Sequence, residues 1–392
     1  MIRGEIHPDF WGVARALERQ VRGAGGGAAV CVYFRGQPVV DIWAGTRDEE
    51  GRPWEHETMA MSFSTSKGVT ATALHRLADR GLLDYDDPVA KYWPEFDQNG
   101  KAPITIRHLL SHQAGLYHIR QLIDHGERIL DWDHMVGVLA KAKPAMPPGS
   151  ASAYHALTFG WLVGEVIQRV AKRPFSEVIQ TELAEPLHLD GLHIGTPREL
   201  QKRAAHLPLP RRRNFAGAAR IGRAFKRINR ALRIPFDPEI FADAMILREG
   251  GDVLWHPDVL TPPIPAVNGL FTARSLARMY AALAGGGELD GVRFLSSKTL
   301  DAATRIQSRR MDRALPIRMH WRLGYHRVFT TRGTLRHAFG HYGYGGSGAF
   351  ADPERNLAVA MINNRAGGTP FGDSRTASIA AAAARSADRA RR

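Results

Sequence analysis

Apolar positions near the start of the chain change period twice. Residues 8–22 place Phe10, Val13, Leu17 and Val21 on one helical face. After the glycine-rich run "GAGGG", two apolar runs, "AAVCVYF" and "PVVDIWAG", are separated only by Arg35-Gly36-Gln37, which predicts a β-hairpin. Helical spacing returns over 64–80, with Val69, Ala73, Leu74 and Leu77 inward and Gly81 as the stop signal. From there to about residue 204 the pattern predicts helices, in "DPVAKYWPEF", "TIRHLLSHQ", "WDHMVGVLAKA", "ALTFGWLVGEVIQRVA" and "PFSEVIQTELAEPL", punctuated by Pro and Gly. Strand patterns resume late: "LRHAFGHYG", "SGAFADP" and "NLAVAMINN" predict a three-stranded meander, and an Ala-rich helix over 374–389 closes the chain. The prediction is an α+β fold, with N- and C-terminal strands sharing one antiparallel sheet and a helical insertion between them. The expected division is a sheet domain of residues 1–80 and 263–392, and a mostly helical domain of 81–262.

Charge refines this picture at one place. The chain of 392 residues carries a formal net charge of +14, but residues 201–236 hold eleven Lys/Arg and no Asp or Glu. The tail 385–392 adds three more positive charges, so the remainder is neutral and no broad basic face for nucleic acid is expected. Within the basic insertion, at 205–240, Ile221, Phe225, Ile228 and Leu232 form one stripe, with Arg220, Arg223, Arg227 and Arg230 largely opposite. Such a helix suits peripheral contact with an anionic membrane through residues 207–235, or a solvated insertion. The single cysteine, Cys31, lies in a predicted buried strand and excludes an intrachain disulfide. No secretory h-region and no span of 18 apolar residues is present, so the expected location is cytoplasmic, with peripheral attachment at the inner membrane surface as an option.

Candidate chemistry centres on "SFSTSKG" at 62–68. Serine before an apolar-periodic run is ordinarily a helix cap. Ser64 and Lys67, however, fall at i and i+3 on one face, where an amine can reach a hydroxyl at a helix N-terminus. A buried lysine that loses its charge can take the serine proton. Alone this spacing is weak evidence, and the second base and oxyanion donors must come from elsewhere. The histidines His108, His112, His118, His125 and His134 lack a carboxylate at metal-ligand spacing, so neither a metal nor any other cofactor is expected. The Gly-x-Ser-x-Gly elbow of α/β-hydrolases is missing, since "GGSGA" at 345–349 departs from it.

Five segments, in order, decide between cap and nucleophile. They are Ser64-Thr65-Ser66-Lys67, "TIRHLLSHQAGL", "PPGSASAYHALTFGWLVGEVI", "NGLFTAR" and "FGHYGYGGSGAFADPE". Together they resemble the serine β-lactamase and penicillin-recognising family, especially class C β-lactamases and family VIII carboxylesterases. The resemblance implies a β-lactamase/transpeptidase-like fold with Ser64 as acylated nucleophile and Lys67 as its proton partner. Tyr154 would be the base, its phenol pKa depressed by neighbouring cations, and His341 would supply a charge adjustable near neutral pH. The N–H groups of Ser64 and Tyr344 would form the oxyanion hole, while Tyr342, Gly343, His155, Gln113 and Asn268 would contact substrate. Two departures bear on substrate: Tyr154-His155-Ala156 lacks the family's asparagine, and His341 replaces a permanent lysine cation. Both favour a neutral acyl ester over a charged lactam, and the expected substrate is a small-molecule carboxylic ester of short to medium acyl length. The alternatives are β-lactamase or D-amino-acid peptidase activity, or a catalytically silent module that binds a membrane or partner.

Overall fold

In chain order the strands are Arg3–Ile6 (β1), Gly27–Phe34 (β2), Gln37–Gly45 (β3), Ala60–Met61 (β4), Leu192–His193 (β5) and Leu270–Phe271 (β6). They continue with Glu288–Leu289 (β7), Val292–Arg293 (β8), His326–Thr330 (β9), Gly333–Tyr342 (β10), Gly348–Asp352 (β11) and Leu357–Asn363 (β12). This computed structural model describes residues 1–22, 25–208, 235–365, 367–368 and 373–391. Seven strands form one sheet in the order β1-β3-β2-β12-β11-β10-β9, every pair antiparallel. The two ends of the chain therefore meet where β2 pairs with β12, from Leu357 opposite Phe34 to Asn363 opposite Ala28. The hairpin turns at Arg35 and Gly36, both at positive φ (52° and 78°), the twist that tight hairpins demand. Strand β1 escapes the apolar pattern because its residues are exposed or half-buried, with Ile6 alone of the four packing against the core.

Strand alternation sorts the core into two layers. Val30, Val32, Phe34, Val359 and Met361 face the helices Trp11–Val21 (α1) and Ser374–Ala390 (α5). Ala29, Cys31, Ala349, Ala351, Ala358 and Ala360 face the other layer, which holds the helix Thr65–Asp79 (α2), the helix Thr158–Ala171 (α3) and the helix Ala273–Ala284 (α4). Small side chains on that face let α4 lie close against β2, β11 and β12. Burying each larger apolar side chain contributes about 1.5–3 kcal/mol.

The helical reading of "DPVAKYWPEF" is corrected to two 3₁₀ turns, Val89–Lys91 and Pro94–Phe96, since Pro88 and Pro94 interrupt any longer ladder. The stripe expected at 205–240 lies mostly outside the described residues. Among those described, no helix is long and apolar enough to cross a membrane.

Helix α2 touches strand β10 through Gly68, where an added Cβ would stand 2.2 Å from the Tyr280 hydroxyl and 3.5 Å from the His341 Cβ. Alanine normally favours a helix over glycine by roughly 0.5–1 kcal/mol. At Gly68 the sign should reverse: Gly68→Ala is expected to destabilise by about 1–3 kcal/mol in urea unfolding, through overpacking.

Candidate active site

Met61 ends β4, and the chain then turns sharply into α2. Phe63 takes φ 44°, a left-handed conformation that costs a non-glycine residue roughly 1–3 kcal/mol. Ser66 holds this bend: its Oγ donates to the Phe63 carbonyl (2.6 Å) and accepts from the Gly269 N–H (2.9 Å). Ser62 serves the helix start through its backbone, its carbonyl accepting from Thr65 N–H. Ser64 occupies the cap position, yet its side chain makes no capping hydrogen bond. Instead Ser64 Oγ lies 3.1 Å from Lys67 Nζ and accepts from the Tyr154 hydroxyl at 2.9 Å.

Lys67 is fully buried. Its Nζ also donates to the carbonyls of Ala156 (2.6 Å) and Ala266 (3.1 Å), and lies 5.0 Å from the Tyr154 ring centre. Among the described residues it has no carboxylate partner. Burial alone holds its pKa well below the usual lysine value. A neutral amine keeps two hydrogens for the two carbonyls and turns its lone pair to the Ser64 hydroxyl. The predicted pair is therefore assembled as a donor and an acceptor of one proton.

Tyr154 departs from its expected electrostatics. With Lys67 neutral there is no cation to depress the phenol, and burial pushes its pKa up, opposed by the Ser64 hydrogen bond and assisted by the charge of Asp312. His341 is likewise corrected. Burial, then His326 and Lys67, hold its pKa well below the ordinary histidine value, so it stays neutral at physiological pH. Its Nδ1 sits 3.0 Å from the Tyr342 carbonyl and must donate there, which leaves Nε2 a buried acceptor without a protein partner. The His341 ring stacks on Tyr154, with centroids 6.2 Å apart.

Three other expected contacts are spent inside the fold. His155, its pKa lowered to about 3 by burial, accepts from Leu116 N–H and pairs with the Ala153 carbonyl. Asn268 staples a loop, accepting from Ile264 N–H and donating to the carbonyls of Val259 and Pro262. Tyr342 points to the opposite face of the sheet, by strand alternation from His341, and donates to the Phe329 carbonyl. Gln113 bonds Ser111 and lines a cleft beside Ser150 and Arg309. Gly343 contributes closeness: a Cβ there would stand 2.3 Å from the Ser62 carbonyl oxygen. That approach brings the turn beginning at Tyr344 beside the helix start, with the rings of Tyr344 and Phe63 5.4 Å apart. Tyr344 opens a single 3₁₀ turn, so its N–H has no partner within that turn. Among the described residues, the Ser64 N–H likewise reaches no backbone acceptor.

Sequence reasoning missed Asp312 and Trp321. Asp312 is fully buried; its Oδ1 accepts from the N–H groups of Tyr154, Ala314 and Leu315, and its Oδ2 accepts from the Trp321 indole at 2.8 Å. Trp321 in turn stacks on the Tyr154 ring, 5.4 Å away and 12° from parallel. Burial pushes the carboxyl pKa up to about 7, against four N–H donors that favour the anion. Nothing local in "MDRALPIRMHW" signals this role, because one key partner is 158 positions away. Among the described residues no three His, Cys, Asp or Glu side chains are placed to hold a metal.

A scan against family models matches the description "Beta-lactamase" over residues 13–384. The chain belongs to the beta-lactamase family. It is an enzyme of that family, a serine hydrolase. It is similar to "Esterase/beta-lactamase LipL" of Mycobacterium tuberculosis, at 42% identity over 366 residues, covering 92% of this chain and 82% of the relative. Among solved structures it resembles a family VIII carboxylesterase, with TM-score 0.86, 32% identity, and 98% and 100% of the two chains covered. A penicillin-binding protein homolog from Caulobacter crescentus gives TM-score 0.85 at 33% identity, covering 98% of this chain and 100% of that one.

Replacing Asp312 by Asn turns an NH₂ group toward one of these N–H donors. Asp312→Asn is expected to lower unfolding stability by about 2–4 kcal/mol, read from the denaturant midpoint. A shift under 0.5 kcal/mol would contradict the tie between Asp312 and the Tyr154 loop.

Proposed function

We propose that this chain hydrolyses carboxylic esters of short to medium acyl length through an acyl-enzyme on Ser64. The observation that carries this reading is the position of Ser64 Oγ between the Lys67 amine and the Tyr154 hydroxyl. Neutral Lys67 takes the proton as Oγ attacks the ester carbonyl. The tetrahedral oxyanion is received by the N–H groups of Ser64 and Tyr344. Formation of the Lys67 ammonium then acidifies the adjacent phenol, and Tyr154 donates its proton to the departing alkoxide and recovers one from Lys67. Alcohol leaves, and water cleaves the acyl-enzyme along the reverse proton path. His341 Nε2 is an acceptor without a protein partner for a substrate or water O–H.

The neutral imidazole of His341 supplies no cation for a β-lactam carboxylate, and Ala156 supplies no amide side chain for an acylamino group. Both observations favour a neutral ester. A second reading, β-lactam hydrolysis at the same serine, is supported by the double name of the esterase/beta-lactamase relative.

A p-nitrophenyl acyl ester should give a burst of phenolate equal to the enzyme concentration, and Ser64→Ala should remove both burst and turnover. Turnover within twofold of wild type in Ser64→Ala would exclude acylation at this residue. Nitrocefin measured beside an acyl-length series of esters separates the two substrates. The pH dependence follows from Lys67. Its depressed pKa leaves the amine neutral well below the usual lysine range, and protonation fills the lone pair that the reaction needs. The rate should therefore hold at neutral pH and fall as pH drops through the Lys67 pKa. Lys67→Arg, a permanent cation, should lose at least 10³-fold in kcat at every pH.

A further inference from the structure

Many of the described arginines find acids. Arg107 forks onto Asp86, Arg203 and Arg274 share Asp190, and Arg169 bridges Glu95 and Glu165. The segment 309–318 instead groups four arginines that have no acid partner among the described residues. Arg309, Arg310, Arg313 and Arg318 line a cleft of about 1310 Å³ together with Gln113 and Ser150, whose carbonyl accepts from Arg310 Nη1 at 3.0 Å, and no Asp or Glu lines it. None of the four forms an ion pair among the described residues. Those outside the description, 209–234 included, contain no Asp or Glu side chain that might pair with them.

Two further observations show uncompensated donors at the cleft. Arg313 is half-buried, and its Nε is buried with no partner. Arg322, which does not line the cleft but feels the charge of Arg309, bonds the Thr304 carbonyl through Nε and leaves Nη1 buried and unpaired. Its pKa is lowered to about 10 by burial, with the charge of Arg309 adding to the effect. Clustered like charges left unneutralised cost stability, and an anion that enters between them relieves the cost. A single carboxylate balances one guanidinium. Several planar forks converging on one cleft match a multiply charged tetrahedral oxyanion, which accepts several charge-assisted hydrogen bonds at once.

We propose that the cleft lined by Arg309, Arg310, Arg313 and Arg318 binds the phosphate group of an anionic ligand. The site is separate from the Ser64 chemistry and does not rest on the ester reading. It adjoins that site structurally: one wall, Gly149–Ala151, leads into Tyr154, and Asp312 lies between the lining residues Met311 and Arg313. A phosphate carried by a soluble molecule or by a lipid headgroup satisfies the same guanidinium chemistry.

The test uses the full chain and the double variant Arg309→Glu/Arg318→Glu, two exposed positions outside the catalytic contacts. Calorimetric titration with inorganic pyrophosphate should show saturable binding to wild type, at least tenfold weaker in the variant, while thermal midpoint and p-nitrophenyl ester turnover stay close to wild type. Cosedimentation with phosphatidylglycerol vesicles, with phosphatidylcholine as control, identifies the source. Vesicle binding that pyrophosphate competes away and the variant lacks assigns the phosphate to a lipid headgroup. Pyrophosphate binding without vesicle binding assigns it to a soluble ligand. No pyrophosphate binding by wild type, or equal binding by the variant, would overturn the proposal. A failure of ester turnover leaves this result untouched, so the two readings fall separately.

Discussion

The Lys67 amine is buried without a carboxylate, and much of the site is organised around that fact. An ammonium withdrawn from water and left unpaired would cost several kcal/mol, so the group instead gives up its proton. Two backbone carbonyls, from Ala156 and Ala266, take the hydrogens that remain. Those carbonyls belong to the loop before α3 and the loop before β6, so two separate parts of the chain must be in place before Lys67 can be neutral and oriented. Burial likewise keeps Tyr154 and His341 from behaving as charged groups. Among the described residues there is no permanent cation within the cluster to pull a phenol toward phenolate, and no carboxylate paired with these imidazoles to keep one protonated.

Around this pair the fold builds a wall of aromatic and imidazole rings whose hydrogen-bond directions are set by backbone. His112 accepts from His155 N–H, His326 accepts from Tyr342 N–H, and His341 faces the Tyr342 carbonyl. Burial holds all three neutral. Asp312 stands apart as a buried acid with no cation, and four N–H donors serve in place of one. The result is a site whose donors and acceptors are fixed before substrate arrives, the condition under which electrostatic stabilisation costs no reorganisation.

How far the sequence reached varies with how local each signal is. The hairpin, the C-terminal meander and α2 were legible because period and turn chemistry act over a few residues, as at Arg35-Gly36 and Gly81. Strand β1 was not, because it is an exposed edge with no apolar alternation. At the site, Ser64, Lys67, Tyr154 and His341 were reached through ordered motifs. His155, Asn268 and Tyr342 sit in those motifs too, yet their side chains are consumed by backbone groups or by the far face of the sheet. Motif membership marks a neighbourhood, and the direction of each side chain depends on strand parity and local turns.

By itself the sequence determined the α+β architecture and the concentration of basic charge in one insertion and the tail, and it offered Ser64 with its i+3 lysine as the candidate nucleophile. Architecture and charge are properties of spacing and composition, which a linear chain displays openly, while the candidate nucleophile rests on the family resemblance of ordered motifs. Tertiary structure alone decided that Lys67 loses its charge, that Tyr154 keeps its proton, and that His341 presents an unprotonated nitrogen. It also decided that Asp312 and Trp321, distant in sequence, brace the tyrosine. Each of these depends on how much water is excluded and on which N–H or carbonyl stands within about 3 Å, and both are fixed only when remote segments pack together.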